Sequence, residues 1–486
     1  MNSTPPESGP RRPGFAGALA PVARVLSRYE GLFLLVVAPL LLFPSPARLW
    51  ALLVVPLLWL ARWIATGRPL EPSPLNLPML VLLLMVLVSV WATYDISVSL
   101  AAIARFVLAV AVLYAVIHRA QTERAWLYAV GLFVILGAGI AGLGLLGTQW
   151  IDKFKLFAPV LARLPSPAIL PVGGEGVFHP NVIAGTLLWS LPLFIALGLS
   201  FIFAWRPIRA YIGSRRAGLM AAVLFLMSSF AVLVFLLTQS RGGYLSLGLT
   251  LLLMIFLWLG RLMPERPRLM YVALVAILAI GIGVGSSLFR QDTLALRELQ
   301  NQNLADAEGF SLDTMEGRLE LWSRAIYGIQ DFSFTGMGMD TFHEVVHILY
   351  PLFTMPPSSE VFHSHNTYLQ AGLDLGIPGL IAFLSLQIGA LAMLVQCWRN
   401  RASLPFPPAL TAALILGLAG GFIAGMLHGL VDSIILSAKP GFLWWYLLAL
   451  IASLYRLTET AAIGIPDPHG PSAQAIHQAP VPAADA

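Results

Sequence analysis

Long apolar stretches separated by charged or proline-containing breaks dominate the chain. A helix needs about 17 to 25 apolar residues to cross roughly 30 Å of hydrocarbon. About twelve stretches have this character: 31–46, 49–66, 75–93, 97–117, 125–147, 181–204, 218–239, 243–261, 269–288, 366–397, 408–431 and 440–456. The first is short and carries Pro39 and Pro44. The pattern predicts an all-α polytopic membrane protein with about 12 transmembrane helices. Two polar segments interrupt the spans, residues 148–180 and the larger 289–365. The chain therefore divides into an N-terminal tail (1–30), nine spans (31–288), one large loop (289–365), three spans (366–456) and a C-terminal tail (457–486).

Composition agrees with the pattern. Of 486 residues, 58% are hydrophobic and 11% charged, against roughly 25% charged in soluble domains. A lone cysteine, Cys397, excludes a disulfide framework and any multi-cysteine metal site.

Charge fixes an expected orientation. The net charge of +5 comes mostly from arginine, the lysines being Lys153, Lys155 and Lys439. With the N-terminus inside, Arg62, Arg68, Arg119, Arg124, Arg206, Arg209, Arg215, Arg216, Arg399 and Arg401 fall in inner segments, as the positive-inside rule requires. Short outer loops hold Arg48, Lys153, Lys155, Arg163, Arg241 and Lys439. The basic balance thus reflects membrane topology and gives no support to nucleic-acid binding. The Pro-rich, basic first 30 residues have no apolar core ending in a cleavage site, and read as a retained cytoplasmic tail. The Pro- and Ala-rich C-terminus reads as disordered. Both long loops lie on the outer face in this topology, and loops of that length are usually functional.

Five stretches carry candidate chemistry. "HEVVH", residues 343–347, spells a zinc-protease motif in which two His one helical turn apart hold the metal and the Glu acts as base. Its setting in an outer loop, where Phe342, Val345, Val346 and Leu349 can rest on the bilayer surface, favours a structural helix. "SRGG" places Arg241 at the outer end of one span with Gly242 and Gly243 opening the next. Arginine, helix N-terminus and close backbone approach suit a diphosphate; the competing reading is a snorkelling interfacial arginine. "GRLELWSR" offers Arg318 and Arg324 to phosphate, or to Glu316, Glu320 and Asp331 as a salt-bridged face. "HSHN" runs into a span capped by Ser364 or Asn366, putting His365 in the first turn as a proton acceptor, or as a capping histidine at the headgroup boundary. Farther along that span Asp374 needs a partner or belongs to a polar path. Finally, His428 and Asp432 stand one turn apart, a pairing that suits packing.

Together "GVFHPNVIAGTLLWSLPL" (176–193), "SRGGYLSL", "GRLELWSRAI" with "FTGMGMDTF", and "HSHNTYLQAGLDLGIPGL" resemble, in order and spacing, the O-antigen ligase and polymerase superfamily. The resemblance covers roughly 170–450. It implies a fold similar to polyprenyl-dependent (GT-C type) glycosyltransferases, a bacterial inner-membrane location and a periplasmic active site. It also implies metal-independent transfer of a polysaccharide from undecaprenyl diphosphate to the lipid A core, without a cofactor. Carried over by motif, His365 is the catalytic base, preferred over His363 because Asn366 follows it, and Arg241 and Arg318 bind the diphosphate. Asn366, Asn181, Arg324, His363 and Asp432 are supporting residues, and Lys153, Lys155 and Arg163 are available to core phosphates. An O-antigen polymerase, a pilin oligosaccharyltransferase and, from another class, a twelve-span transporter are the alternatives.

Overall fold

The structure is a computed structural model that describes residues 15–150, 157–164, 177–262, 265–266, 268–269, 271–284, 287, 315–353 and 361–463. Among these residues it is all-α apart from turns and an isolated parallel bridge between Thr148 and Phe178. In chain order come α1 (Phe15–Arg28), α2 (Glu30–Leu42), α3 (Val54–Thr66, entered through a 3-10 turn at Pro46–Leu53), α4 (Asn76–Ala92), α5 (Ile96–Arg119) and α6 (Glu123–Gly147). They are followed by α7 (Ala158–Leu161), α8 (Pro180–Leu188), α9 (Leu191–Phe203), α10 (Trp205–Ile212), α11 (Ser214–Leu237), α12 (Arg241–Leu262) and α13 (Tyr271–Val284). The last five are α14 (Met315–Asp331), α15 (Phe342–Leu349), α16 (Thr367–Arg399), α17 (Pro408–His428) and α18 (Phe442–Ile463).

Among the described residues, eight helices are long and apolar enough to cross a membrane, and up to ten spans result if the bent pairs α1–α2 (68°) and α8–α9 (46°) each count as one. α4 and α13 are shorter apolar helices. The chain is a multi-pass membrane protein. Outward side chains such as Phe225 and Leu226 on α11 are exposed, which suits lipid as the surrounding solvent.

The N-terminal helix departs from the sequence reading, which treats residues 1–30 as a tail. From Phe15 the chain is helical and packs along α3. Small residues explain it: Ala20, Ala23 and Ser27 recur at helical intervals and form the packed side, Ala23 and Ser27 being buried, while Leu19 and Val22 stay exposed. Just beyond, Glu30 and Arg62 form a fully buried ion pair between α2 and α3.

α18 is the centre of the bundle. Its Trp444 stacks on Phe422 of α17 and meets Phe383 of α16, while Trp445 takes Phe106 of α5 edge-on. α17 reaches α9 closely because a Cβ at Gly417 would lie 2.7 Å from Leu193 Cα, the small-residue contact that brings membrane helices together.

α16 is broken at Gly376, whose φ of 69° and ψ of −177° leave the helical region. Pro378 follows two residues later. Broken backbone in a membrane must find other partners, and residues 332–341 supply them. Met337 N–H donates to the Leu373 carbonyl at 2.7 Å, and Ile377 N–H donates to that of Ser333 at 2.7 Å. This part of the large loop is thereby docked into the break.

The Glu30–Arg62 pair gives a stability test. Glu30→Ala strands a buried guanidinium and is expected to cost about 3–5 kcal/mol, whereas the Glu30→Leu/Arg62→Leu double variant should stay near wild type. Thermal unfolding in detergent measures both; equal losses would show that the charges do not act as a pair.

Candidate active site

Two distant stretches of chain are stitched together at one end of the bundle. Asn366 caps α16: its Oδ1 accepts from Tyr368 N–H (2.9 Å) and Leu369 N–H (3.0 Å). Its Nδ2 donates to the Leu430 carbonyl just past α17 (3.0 Å). Thr367 adds two bonds to the same turn, N–H to the Gly429 carbonyl (2.7 Å) and Oγ1 to the Asp432 carbonyl (2.9 Å). The stretch 363–367 is thereby held against 428–433.

These bonds bring three imidazoles around one carboxylate. Asp432 is buried, its Oδ1 lying 3.4 Å from His365 Nδ1 and 3.5 Å from His363 Nε2, and its Oδ2 3.6 Å from His428 Nε2. Ser433 N–H donates to Oδ1 at 2.9 Å. The rings of His363 and His365 have centroids 4.2 Å apart. With Asn366 as cap, His365 stands one residue ahead of that cap and not in the first turn of α16, and it adopts a left-handed φ of 50°. Neither of its ring nitrogens makes a hydrogen bond among the described residues, Nδ1 facing Asp432 across 3.4 Å.

Three other elements converge here. On α14, Arg318 is buried and acts electrostatically on His363. The start of α12 abuts His428: a Cβ at Gly242 would lie 3.7 Å from His428 Nδ1, which places Arg241, the first residue of that helix, at this end of the bundle. α8 crosses His428 at Gly185 and begins at His179, whose Nδ1 accepts from Asn181 N–H at 3.2 Å. His179 also acts on His363.

The remaining sequence candidates separate. Arg324 is taken up elsewhere: Nε donates to the Pro351 carbonyl (2.8 Å), one terminal nitrogen lies 3.5 Å from Glu320 Oε1, and the guanidinium stacks over Phe353. The salt-bridged reading holds for it. Lys153 and Lys155 lie outside the described residues, and Arg163 bonds its own Pro159 carbonyl. The "HEVVH" segment does form helix α15, but Phe342, Val345 and Val346 pack into the loop's own core with Leu321, Ala325 and Leu373 instead of resting on a bilayer surface. His343 pairs with adjacent Glu344 at 3.1 Å, and no third ligand joins this motif in a cluster among the described residues. Sequence reasoning missed two members of the site. His428 reads as packing, although its position four before Asp432 is the signal. His179 goes unnoticed, although His-Pro-Asn spells a helix start with proline at its first position.

Potential ligand atoms of His363, His365 and Asp432 all fall within 4.8 Å of one another, a spread that a cation could bridge. Hydrogen bonding argues otherwise. His363 Nδ1 accepts the backbone N–H of His365 at 3.1 Å, so the neutral ring carries its proton on Nε2, the atom facing Asp432. A metal there would have to displace that proton. The donor set therefore suits a carboxylate held by N–H groups.

Electrostatics follow the same geometry. Burial pushes the His363 pKa down to about 3, with His365 and Arg318 acting in the same direction against Asp432. For Asp432, burial pushes upward, but the facing imidazoles of His365 and His428, with His363, outweigh it and hold the carboxyl well below its usual range.

The His363 shift sets a pH dependence. Its folded pKa lies below the unfolded value of 6.5, so the unfolded chain binds the extra proton and stability falls as pH drops from about 6.5 toward 3. His363→Asn should flatten the melting temperature against pH between 7.5 and 5, a range set by the ordinary histidine pKa of about 6.5. An unchanged slope in the variant would remove His363 as the source.

Residues 222–384 match the family described as O-Antigen ligase. The matched segment runs from α11 to just past the break in α16 and takes in Arg241, Arg318, His363, His365 and Asp374, while His179, His428 and Asp432 fall outside it. No curated protein matches the chain. Over residues 222–384, about a third of the chain, the protein is thus similar to the O-antigen ligase family.

Proposed function

We propose that the protein is an O-antigen ligase, transferring a polysaccharide from undecaprenyl diphosphate to a sugar hydroxyl of the lipid A core at the periplasmic face of the bacterial inner membrane. One observation carries the reading: Asp432 faces His365 Nδ1 at 3.4 Å, the opposite ring nitrogen makes no hydrogen bond among the described residues, and neither does Nδ1 itself, so the imidazole is held by charge and position, with buried Arg318 close by, in or beside the segment that matches the ligase family.

The chemistry follows from that arrangement. With Nδ1–H turned to Asp432, the lone pair sits on Nε2, which accepts the proton of the attacking hydroxyl. As that oxygen bonds the anomeric carbon, the bond from carbon to the diphosphate oxygen breaks, and its electrons leave with undecaprenyl diphosphate. A single displacement inverts the anomeric carbon. Asp432 then stabilises the imidazolium, and Arg318 and Arg241, with the N-terminus of α12, take up the leaving-group charge. Arginines and a helix end supply this without a divalent ion. Asn366 serves the site by holding α16 to the turn that carries Asp432, and His179 caps the start of α8, its Nδ1 accepting the backbone N–H of Asn181.

The test is deletion of the gene in its host and complementation with wild type, His365→Ala, Asp432→Asn or Arg318→Lys, resolving surface lipopolysaccharide and carrier-linked glycan on gels. His365→Ala is expected to reduce transfer on the order of 10²- to 10⁴-fold, leaving bare core while long polymer accumulates on the carrier. Arg318→Lys should not restore activity, because a point charge does not replace a planar fork. Core bearing a single repeat unit would identify a polymerase instead. Unchanged glycans in every strain would reject the glycosyltransferase reading and reopen the transporter.

A further inference from the structure

The bonds described above leave Asp374 unused, although it is buried within a membrane-spanning helix, one turn beyond Gln370 and two residues before the break at Gly376. A buried intramembrane carboxylate is costly and calls for a specific role. Its Oδ1 accepts two bonds, from Gln370 Nε2 at 2.8 Å and from Asp340 N–H at 3.1 Å. Oδ2 has no hydrogen-bond partner among the described residues. Gln370, also buried, turns its other end to the backbone, Oε1 accepting Ser364 N–H at 2.9 Å.

The backbone so held belongs to the turn that aims His365. A side chain at φ near +50° costs about 1–3 kcal/mol, and persists only where its surroundings enforce it. Here two consecutive amides are held by side-chain acceptors, Ser364 N–H by Gln370 and His365 N–H by His363 Nδ1. An amide side chain has one donating and one accepting end. By taking the donating end, Asp374 Oδ1 commits the accepting end to Ser364.

We infer that Asp374 and Gln370 are positioning residues for His365, a buried relay from the broken transmembrane helix that locks the left-handed turn and points the imidazole at its reaction partner. The inference rests on the reading of His365 as the base. It also gives the break at Gly376 a use, since the docked segment 332–341 brings the Asp340 N–H that completes the Asp374 site.

Only one carboxylate oxygen makes hydrogen bonds, so an amide can replace it. Asp374→Asn should therefore behave nearly as wild type, and Asp374→Leu should not. In full-length protein in detergent, hydrogen exchange read on a peptide spanning 361–369 is expected to rise roughly tenfold at Ser364 and His365 in Asp374→Leu and in Gln370→Leu, and to stay at the wild-type rate in Asp374→Asn. With lipid-linked glycan and core acceptor, kcat should fall on the order of 10²-fold in the Leu variants with KM unchanged, and the double Leu variant should be no worse than either single one. If Asp374→Leu does not fold, Gln370→Leu carries the same readouts. Wild-type exchange in the Leu variants, or equal losses in Asp374→Asn and Asp374→Leu, overturns the relay. Exchange is measured without turnover, so a wild-type protein inactive toward these substrates would count against the ligase reading while the relay is still decided by its own signal.

Discussion

A single buried carboxylate organises this end of the molecule. Taking Asp432 out of water is expensive unless donors surround it, and the chain provides them from both sides: His428 and Ser433 from its own turn, His363 and His365 from the end of the large loop. Those residues are more than sixty positions apart, so the donors arrive only if α16 and α17 are tied together at their ends. Asn366 and Thr367 do this with hydrogen bonds to the carbonyls of Leu430, Gly429 and Asp432. Capping the helix and assembling the site are the same event. A side chain that satisfies free N–H groups at the start of α16 also fixes where His365 stands.

A second constraint comes from the membrane. Backbone groups freed within hydrocarbon must find partners in the protein, and the break at Gly376 exposes several. Residues 332–341 answer that need, with Gly336 admitting the approach because a Cβ there would meet the Asp374 carbonyl oxygen at 2.5 Å. A loop that reads as a polar segment between spans is thus fastened to one of them. Asp340 extends the attachment, its carboxylate lying 3.4 Å from Arg105 on α5. The two charges that stand out within apolar stretches, Arg105 and Asp374, both turn out to hold this loop.

Much of this is legible in the sequence, for physical reasons that differ by residue. Apolar stretches reveal helices because the bilayer imposes a minimum length, and Asn366 reveals a cap because few residues suit that position. His365 stands out because it lies beside that cap at the end of a long loop. What escapes is whatever depends on distant pairing. Helix α1 hides behind its small residues and Pro21. His428 looks like a packing residue until 363–366 folds back onto Asp432. The same blindness makes "HEVVH" look like chemistry: five residues spell the motif, yet burial of Phe342, Val345 and Val346 shows a helix whose apolar side closes the loop's own core.

The two arginines of α14 show how far local geometry can go before tertiary contacts are known. Arg318 and Arg324 are six residues apart, about 600° of helical rotation, and so point about 120° away from each other. They cannot both serve one phosphate group from the same helix face. The structure divides them accordingly, with Arg318 buried beside His363 and Arg324 spent on Glu320, Pro351 and Phe353. A diphosphate leaving group carries more charge than one guanidinium neutralises. In the proposed reaction its second partner must therefore come from a different element, and the start of α12, which carries Arg241 at a helix N-terminus next to His428, is the place where this fold offers one.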